Sequence, residues 1–193
     1  MREVKVALCG GMRSGKTTTE RYLVEQYHMI AFAFGDKLKE YYHLENPDVP
    51  RVPKPVGGYQ TYGQGKRKSE GATYWIDLCL AQVERIRQVA ANYNITHEDI
   101  VFMPLITDLR QPNEFKKLKE EGYTIIRLQA PVELRIDRAR AKGDDSTPEN
   151  FKAETEIYTD TFDVDYNIVN DGSLNTLYEQ LDNIMSVLIS ETN

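Results

Sequence analysis

The chain has 193 residues, 40% of them hydrophobic and 28% charged, which suits one globular domain with a buried core, or one domain with a small lid. No apolar run exceeds the seven residues 100–106 and Met1-Arg2-Glu3 opens no signal peptide, so a membrane span is excluded and the cytoplasm is expected. Two cysteines, Cys9 and Cys79, exclude a disulfide framework and a four-cysteine zinc site, and a net charge of −6 disfavours extended nucleic acid as a partner.

Residues 4–9, Val-Lys-Val-Ala-Leu-Cys, read as a buried strand stopped by Gly10-Gly11. A helix follows over 16–27, then a short apolar strand over 29–34 and a helix over 36–44. The next stretch carries Pro47, Pro50, Pro53 and Pro55 and closes on Gly57-Gly58. Prolines remove backbone donors and stop helices, so a stiff loop is expected there. A long helix is expected over 73–92, with Trp75, Leu78, Val83, Ile86 and Val89 as its apolar positions.

A third strand follows at 100–106, a helix at 113–121 ended by Gly122, and a fourth strand at 123–128. The helix after Pro131 carries Arg135, Arg138 and Arg140 and stops near Gly143. Ser146 and Glu149 are spaced as a capping box, with Pro148 near the first turn of another helix. Residues 166–169 form the fifth strand. In the last helix Leu174, Leu177, Leu181, Ile184 and Leu188 recur at helical spacing behind Ser173 as its cap. Five alternations of strand and helix predict an α/β fold, a parallel sheet with helices on both faces.

Between the first strand and first helix stands Gly10-Gly11-Met12-Arg13-Ser14-Gly15-Lys16-Thr17, the pattern G-x-x-x-x-G-K-(S/T). Glycines at 10 and 15 let consecutive backbone N–H groups curl toward phosphate oxygens, and the helix N-terminus adds its positive end. Gly11, Arg13, Ser14, Gly15, Lys16, Thr17 and Thr18 are therefore the candidate ATP phosphate site. Lys16 would reach the β- and γ-phosphates, and the Thr17 hydroxyl would bind Mg²⁺.

Other strand ends add chemistry. In Phe34-Gly35-Asp36-Lys37, Asp36 would lie beside the phosphates, where it could orient Mg²⁺, accept a proton, or cap the following helix. An apolar strand ending at Asp108 has the layout of a Mg²⁺-holding carboxylate, with Arg110 within reach of a phosphate. Leu109 stands where motor ATPases often place a water-activating Glu, which favours transfer over hydrolysis. Arg135, Arg138 and Lys142 share one helical stripe, either a clamp on the transferring group or a solvated basic face. Residues 59–68 and Trp75 interleave aromatic, amide and basic groups, as a single-strand nucleic-acid surface does. Beside a phosphate loop they suit a pocket for one phosphorylated acceptor better.

The charge is uneven. The first 142 residues hold 23 bases and 18 acids, whereas 143–193 hold 12 acids and one base. Within 51–69 there are five bases and no acid, which fits a small, highly charged anion in a basic cleft.

In order, the phosphate loop, FGDKLKE, YGQGKRK…YWID, TDLRQPNEF and VNDGSLNTL resemble the phage-type deoxynucleoside monophosphate kinases, relatives of dephospho-CoA kinase and adenylate kinase. The resemblance implies a three-layer P-loop NTPase fold: a single domain, 1–193, with five parallel strands and the loop strand central. It adds an acceptor-binding insert over about 35–93 and a small lid over about 135–158. It also implies ATP with Mg²⁺ as cofactors and a nucleotide acceptor; a homodimer is considered as the assembly, though the sequence does not reveal the oligomeric state. Lys16, Asp36, Asp108 and Arg138 become the catalytic candidates, and Thr17 and Asp108 the Mg²⁺ ligands. Phe34, Asp36, Lys37, Gln64, Arg67, Trp75 and Arg110 would bind the acceptor, with Asn113 and Glu114 completing the D-x-R-x-x-N-E run. Arg135 and Arg138 would be lid arginines, and Asn170 and Gly172 would flank adenine. Many relatives carry H-x-S-E after the lid helix; residues 146–156 contain no His.

Overall fold

The computed structural model describes residues 1–94, 101–141, 143 and 154–191. Among the described residues there are seven strands, β1 (Arg2–Glu3), β2 (Val6–Cys9), β3 (Ile30–Phe32), β4 (Val101–Phe102), β5 (Pro104–Ile106), β6 (Thr124–Gln129) and β7 (Tyr166–Val169), and eight helices. The helices are α1 (Lys16–Tyr27), α2 (Phe34–Glu45), α3 (Val56–Glu70), α4 (Tyr74–Asn94), α5 (Pro112–Glu120), α6 (Val132–Ala141), α7 (Glu154–Thr161) and α8 (Leu174–Glu191). The main sheet has the order β3-β5-β2-β6-β7 and every pairing in it is parallel. The strand that feeds the phosphate loop is central, as expected.

Alternation along β2 builds the two layers of core. Val6 and Leu8 face one side, with Ile126, Leu128, Leu23 of α1 and Leu177, Leu181 and Met185 of α8. Ala7 and Cys9 face the other, with Ile125, Phe34, Ile76, Cys79 and Val83 of α4, and Leu118 of α5. Strands buried on both faces are the continuous apolar runs that the sequence offers.

The expected third strand is split in two, and its first residue, Ile100, lies outside the described residues. Arg2 pairs with Val101, Glu3 with Phe102 and Val6 with Leu105, so one register runs through both pieces. Val4 donates to the Phe102 carbonyl at 3.0 Å. The next rung would have residue 104 donate to Val4, and Pro104 has no N–H, so the ladder breaks there.

Other expectations are corrected. Residues 57 and 58 do not close a loop but lie in α3, because α2 and α4 hold this helix by packing that its local propensity does not predict. A Cβ on Gly58 would stand 2.2 Å from the Tyr42 hydroxyl, and one on Gly63 2.5 Å from Leu38. These glycines let two helices approach closely, which outweighs their cost of up to about 1 kcal/mol each in a helix. Phe34 is the first residue of α2, not the end of a strand, and Val89 lies on the exposed side of α4. The 146–149 capping box lies outside the described residues.

Candidate functional site

The loop between β2 and α1 is bent by its own backbone. Gly10 and Gly15 have φ of 131° and 114°, and Arg13 sits at 61°. A Cβ at Gly10 would fall 2.2 Å from the Leu128 carbonyl oxygen and one at Gly15 2.2 Å from Asn170 Nδ2, so both positions are closed to any side chain. Lys16 turns its ammonium back to donate to the Gly10 and Gly11 carbonyls. These are the partners it would exchange for phosphate oxygens.

Two clefts meet at this loop. The first, of about 770 Å³, is lined by Met12, Arg13, Gly15, Lys16, Thr17 and Thr18, by Arg138 and Ala141 of α6, and by Asn170, Gly172 and Leu174. Lys54 and Arg110 complete it. Asn170 is buried and donates from Nδ2 to the Ser14 carbonyl at 2.8 Å, so it braces the loop as well as lining the cleft. Arg138 donates to the Asn170 carbonyl at 3.0 Å, and Arg135 donates from Nε to the Met12 carbonyl at 2.6 Å. The two arginines thus face the loop together, as their spacing predicts; Arg140 points to solvent, 3.5 Å from Asp137. Arg135 lies against the loop without lining the cleft, as do Gly11 and Ser14. Lys142, the third residue of that stripe, lies outside the described residues.

The second cleft, of about 940 Å³, shares Lys16 and Thr17 with the first and is walled by α2, α3 and the end of β5. Asp36, Gln64, Arg67 and Arg110 of the acceptor candidates line it, and so does Asp108, the Mg²⁺ candidate. Tyr59 and Gln60 of the 59–68 segment and Lys54 of the basic 51–69 stretch line it too, and so do Glu20, Lys39 and Gln111, for which the sequence suggests no role. Tyr59, Gln60, Gln64 and Arg67 recur at helical spacing, a signal concealed by the glycines among them.

Three expected acceptor residues are placed elsewhere. Trp75 is 1% exposed and donates from Nε1 to the Gly63 carbonyl at 3.1 Å, so it anchors α3 instead of walling the cleft. Phe34 is buried in the core, and only its backbone N–H serves the site. Lys37 turns away to pair with Glu40 at 2.6 Å, while Lys39, two residues on, enters the cleft and pairs with Asp36 at 2.9 Å. Asp36 sits in the first turn of α2, whose cap is Ala33, so the capping role falls away.

Asp108 is held by the start of α2: Phe34 N–H donates to one carboxylate oxygen at 2.8 Å and Gly35 N–H to the other at 3.1 Å. Burial raises its pKa, opposed by those two bonds and by Arg110. Burial also raises Glu20, helped by Asp36 and Asp108.

The N-E pair of the D-x-R-x-x-N-E run is structural. One Glu114 oxygen accepts from the backbone N–H groups of both Arg110 and Gln111, each at 2.9 Å, fixing the turn that presents Arg110. Burial pushes Glu114 up to about 7. Asn113 donates to the Ala72 carbonyl at 3.1 Å, tying the link between α3 and α4 to the same turn.

On β6, Arg127 is buried beside Cys9. It donates to the Thr159 carbonyl at 2.8 Å, the Asn167 side chain at 3.1 Å and the Phe162 carbonyl, so it fastens the end of α7 to the sheet.

Hydroxyl and carboxylate oxygens are the hard donors that Mg²⁺ takes. Thr17 and Asp108 offer one of each on one cleft wall, and the Asp108 oxygens keep acceptor capacity beyond their two backbone bonds. The residues fit a Mg²⁺ ion that draws its other ligands from water and phosphate. Among the described residues no group of three His, Cys, Asp or Glu is placed to hold a metal unaided.

No protein-family model matches the chain, and no curated protein matches it. Among solved structures, TT1252 from Thermus thermophilus is 18% identical over 97% of this chain and 99% of that one, with a TM-score of 0.48. Deoxyadenosine kinase from M. mycoides with bound dATP is 14% identical over 95% and 100%, with a TM-score of 0.47. Shikimate kinase from Bacteroides thetaiotaomicron is 12% identical over 96% of this chain and 98% of that one, with a TM-score of 0.56. At that identity the likeness is one of architecture, and the chain shares with this kinase the three-layer α/β P-loop fold built on five parallel strands.

Proposed function

We propose that the chain is an ATP- and Mg²⁺-dependent kinase that phosphorylates a nucleoside or deoxynucleoside 5′-monophosphate, giving the diphosphate and ADP. The observation that carries this reading is the junction of the two clefts. Lys39, Lys54, Arg67 and Arg110 line an acceptor cleft that opens onto the same Lys16 and Thr17 as the donor cleft. Four cations suit an acceptor that brings its own phosphate, and the 5′-nucleotide is the class that the sequence resemblance implies.

In the transfer, an oxygen of the acceptor phosphate attacks the γ-phosphorus of ATP, and the bond from that phosphorus to the β,γ-bridging oxygen breaks. Its electron pair leaves with ADP. The attacking oxygen is already ionised at neutral pH, so no general base is needed and the protein's task is positioning and charge stabilisation. Lys16 would exchange its loop carbonyls for β- and γ-phosphate oxygens. Arg67 would grip the acceptor phosphate, and Arg110, its backbone fixed by Glu114, would line both substrates. Gln60, Gln64 and Tyr59 would face the nucleoside. Arg138, already against the loop, would neutralise charge on the donor. Thr17 and Asp108 would hold Mg²⁺, which would supply charge neutralisation on the phosphates.

The single domain would comprise a sheet core, an acceptor-binding insert over about 35–93 and a lid over about 135–158. A hydroxyl acceptor is the second reading, favoured by one observation: the Asp36 carboxylate opens onto the cleft and could take a proton. Dephospho-CoA as acceptor and regulatory ATP hydrolysis are the remaining alternatives. ADP release from Mg·ATP, measured with each NMP, each dNMP, dephospho-CoA, shikimate and a sugar panel, tests the proposal. Stimulation by nucleotide monophosphates is expected; stimulation by hydroxyl acceptors alone, or equal rates with no acceptor, would overturn it.

A further inference from the structure

Four residues line both clefts: Lys16, Thr17, Arg110 and Lys54. The first two belong to the phosphate loop and its helix, and Arg110 follows the carboxylate at the end of β5. Lys54 comes from the proline-rich stretch, far from any phosphate motif in the sequence. It reaches the junction because its backbone is framed. Pro53 and Pro55 flank it, Pro55 has φ −79° and ψ 70°, and Val56 N–H donates to the Lys54 carbonyl at 2.9 Å. Those values describe an inverse γ-turn, a tight bend that proline's fixed φ favours.

The turn leads directly into α3, and α3 is held from behind. The Tyr59 hydroxyl is 2.7 Å from His43 Nε2, the Tyr59 ring meets Tyr42 edge-on, and Trp75 bonds the Gly63 carbonyl. Such a mount fixes where the backbone of Lys54 stands. Neighbouring lysines are neutralised by acids: Lys37 by Glu40, Lys39 by Asp36, Lys66 by Glu45. The Lys54 ammonium has no hydrogen-bond or ion-pair partner among the described residues, and its side chain is exposed to the cleft.

We propose that Lys54 is a catalytic residue that contacts the phosphoryl group in transit, touching oxygens of the donor's γ-phosphate from one cleft and of the acceptor's phosphate from the other. This rests on the kinase reading above. As the bond to ADP breaks and the bond to the acceptor forms, charge spreads over the equatorial oxygens of the moving group. An ammonium between the clefts stabilises that distribution more than it stabilises either substrate alone. The proline frame that looks like a mere linker becomes the device that delivers a catalytic charge.

The test compares Lys54→Ala and Lys54→Arg with wild type, binding being read by calorimetry. The probes are ATP alone, each nucleoside monophosphate alone, and analogues in which five phosphates join adenosine to a deoxynucleoside of each base. Lys54→Ala should weaken the tightest bridged analogue by about tenfold or more while ATP and the monophosphates change by less than about twofold. It should also lower kcat with little change in either KM, and Lys54→Arg should recover most of both losses. Unchanged binding of the bridged analogue by a folded Lys54→Ala variant would overturn the assignment. Weakening of ATP alone to the same degree would overturn it too, by confining Lys54 to the donor cleft. Failure of the kinase reading shows separately, as wild-type protein that releases no ADP in response to any monophosphate. Wild type that binds no bridged analogue more tightly than ATP would end both.

Discussion

The two clefts are built on different principles. The proposed donor side centres on an eight-residue loop whose bend is local, with positive φ at Gly10 and Gly15 and a helix that begins at once with Lys16, and on which Leu128 and Asn170 close from the sheet. The proposed acceptor side is walled by α2, α3 and the end of β5, and α3 must first pack on α2 and α4 before its side chains face the cavity. Its glycines at 58 and 63 are used for contact between helices and not for backbone freedom. A binding surface for phosphate can thus be written in one stretch of chain, whereas a surface for a particular acceptor is assembled from distant pieces.

The sharpest way to break that comparison is at Lys16. Replacement by Ala should cut kcat by roughly 10²-fold or more, since a cation aimed at the developing charge is lost. The thermal midpoint should change little, because the Lys16 ammonium bonds to the loop's own carbonyls, which can turn to water instead. Near-wild-type turnover in a folded variant would contradict a phosphate-binding role for the loop.

Arg67 probes the other half. Arg67→Ala should raise the acceptor KM by about tenfold while leaving the ATP KM near wild type, because Arg67 lines only the acceptor cleft. Lys at 67 should recover part of the loss, since it restores charge without the bidentate fork. Equal effects on both substrates would remove Arg67 from the acceptor side.

The smallest effect concerns support. The donor loop is braced by the neutral Asn170, but the Arg110 turn is braced by a buried carboxylate, Glu114, at 5% exposure. Its folded pKa, about 7, lies above the ordinary 4.5. Between those values the folded state holds the extra proton, so this group's contribution is fully present below about pH 4.5 and is lost as the pH rises through about 7. Glu114→Gln keeps an oxygen to accept both backbone N–H groups and removes the charge. The variant should melt above wild type at pH 8, with the difference shrinking toward pH 5. A difference independent of pH would contradict the buried-carboxylate account.

Residues whose roles are set within a few positions of sequence were the ones legible beforehand. The bend of the 10–17 loop, the parallel sheet, the Arg135/Arg138 face and the Ser173 cap depend on spacing, and Ser173 Oγ does accept from Thr176 N–H at 3.2 Å; the central place of the loop strand follows only from the family resemblance. Lys37 is expected at the acceptor site from the resemblance alone; on α2 the residue three beyond Asp36 shares its face, so Lys39 enters the cleft and Lys37 pairs with Glu40. Trp75 resembled a cleft wall in one dimension and is a core anchor in three. Lys54 counts in sequence only as one base of the acid-free 51–69 stretch, since nothing near Pro53 and Pro55 says that it stands where two cavities meet.

The central claim is that both clefts fill at once and that the group passing between them ends on another phosphate. Phosphorus NMR of protein with Mg·ATP and a mixture of nucleotide monophosphates follows that group directly. The account predicts that the γ-signal of ATP is replaced by the terminal phosphate signal of a nucleoside diphosphate, with ADP formed in equal amount and inorganic phosphate staying at background. Inorganic phosphate growing in step with ADP, or no loss of the γ-signal, would contradict it.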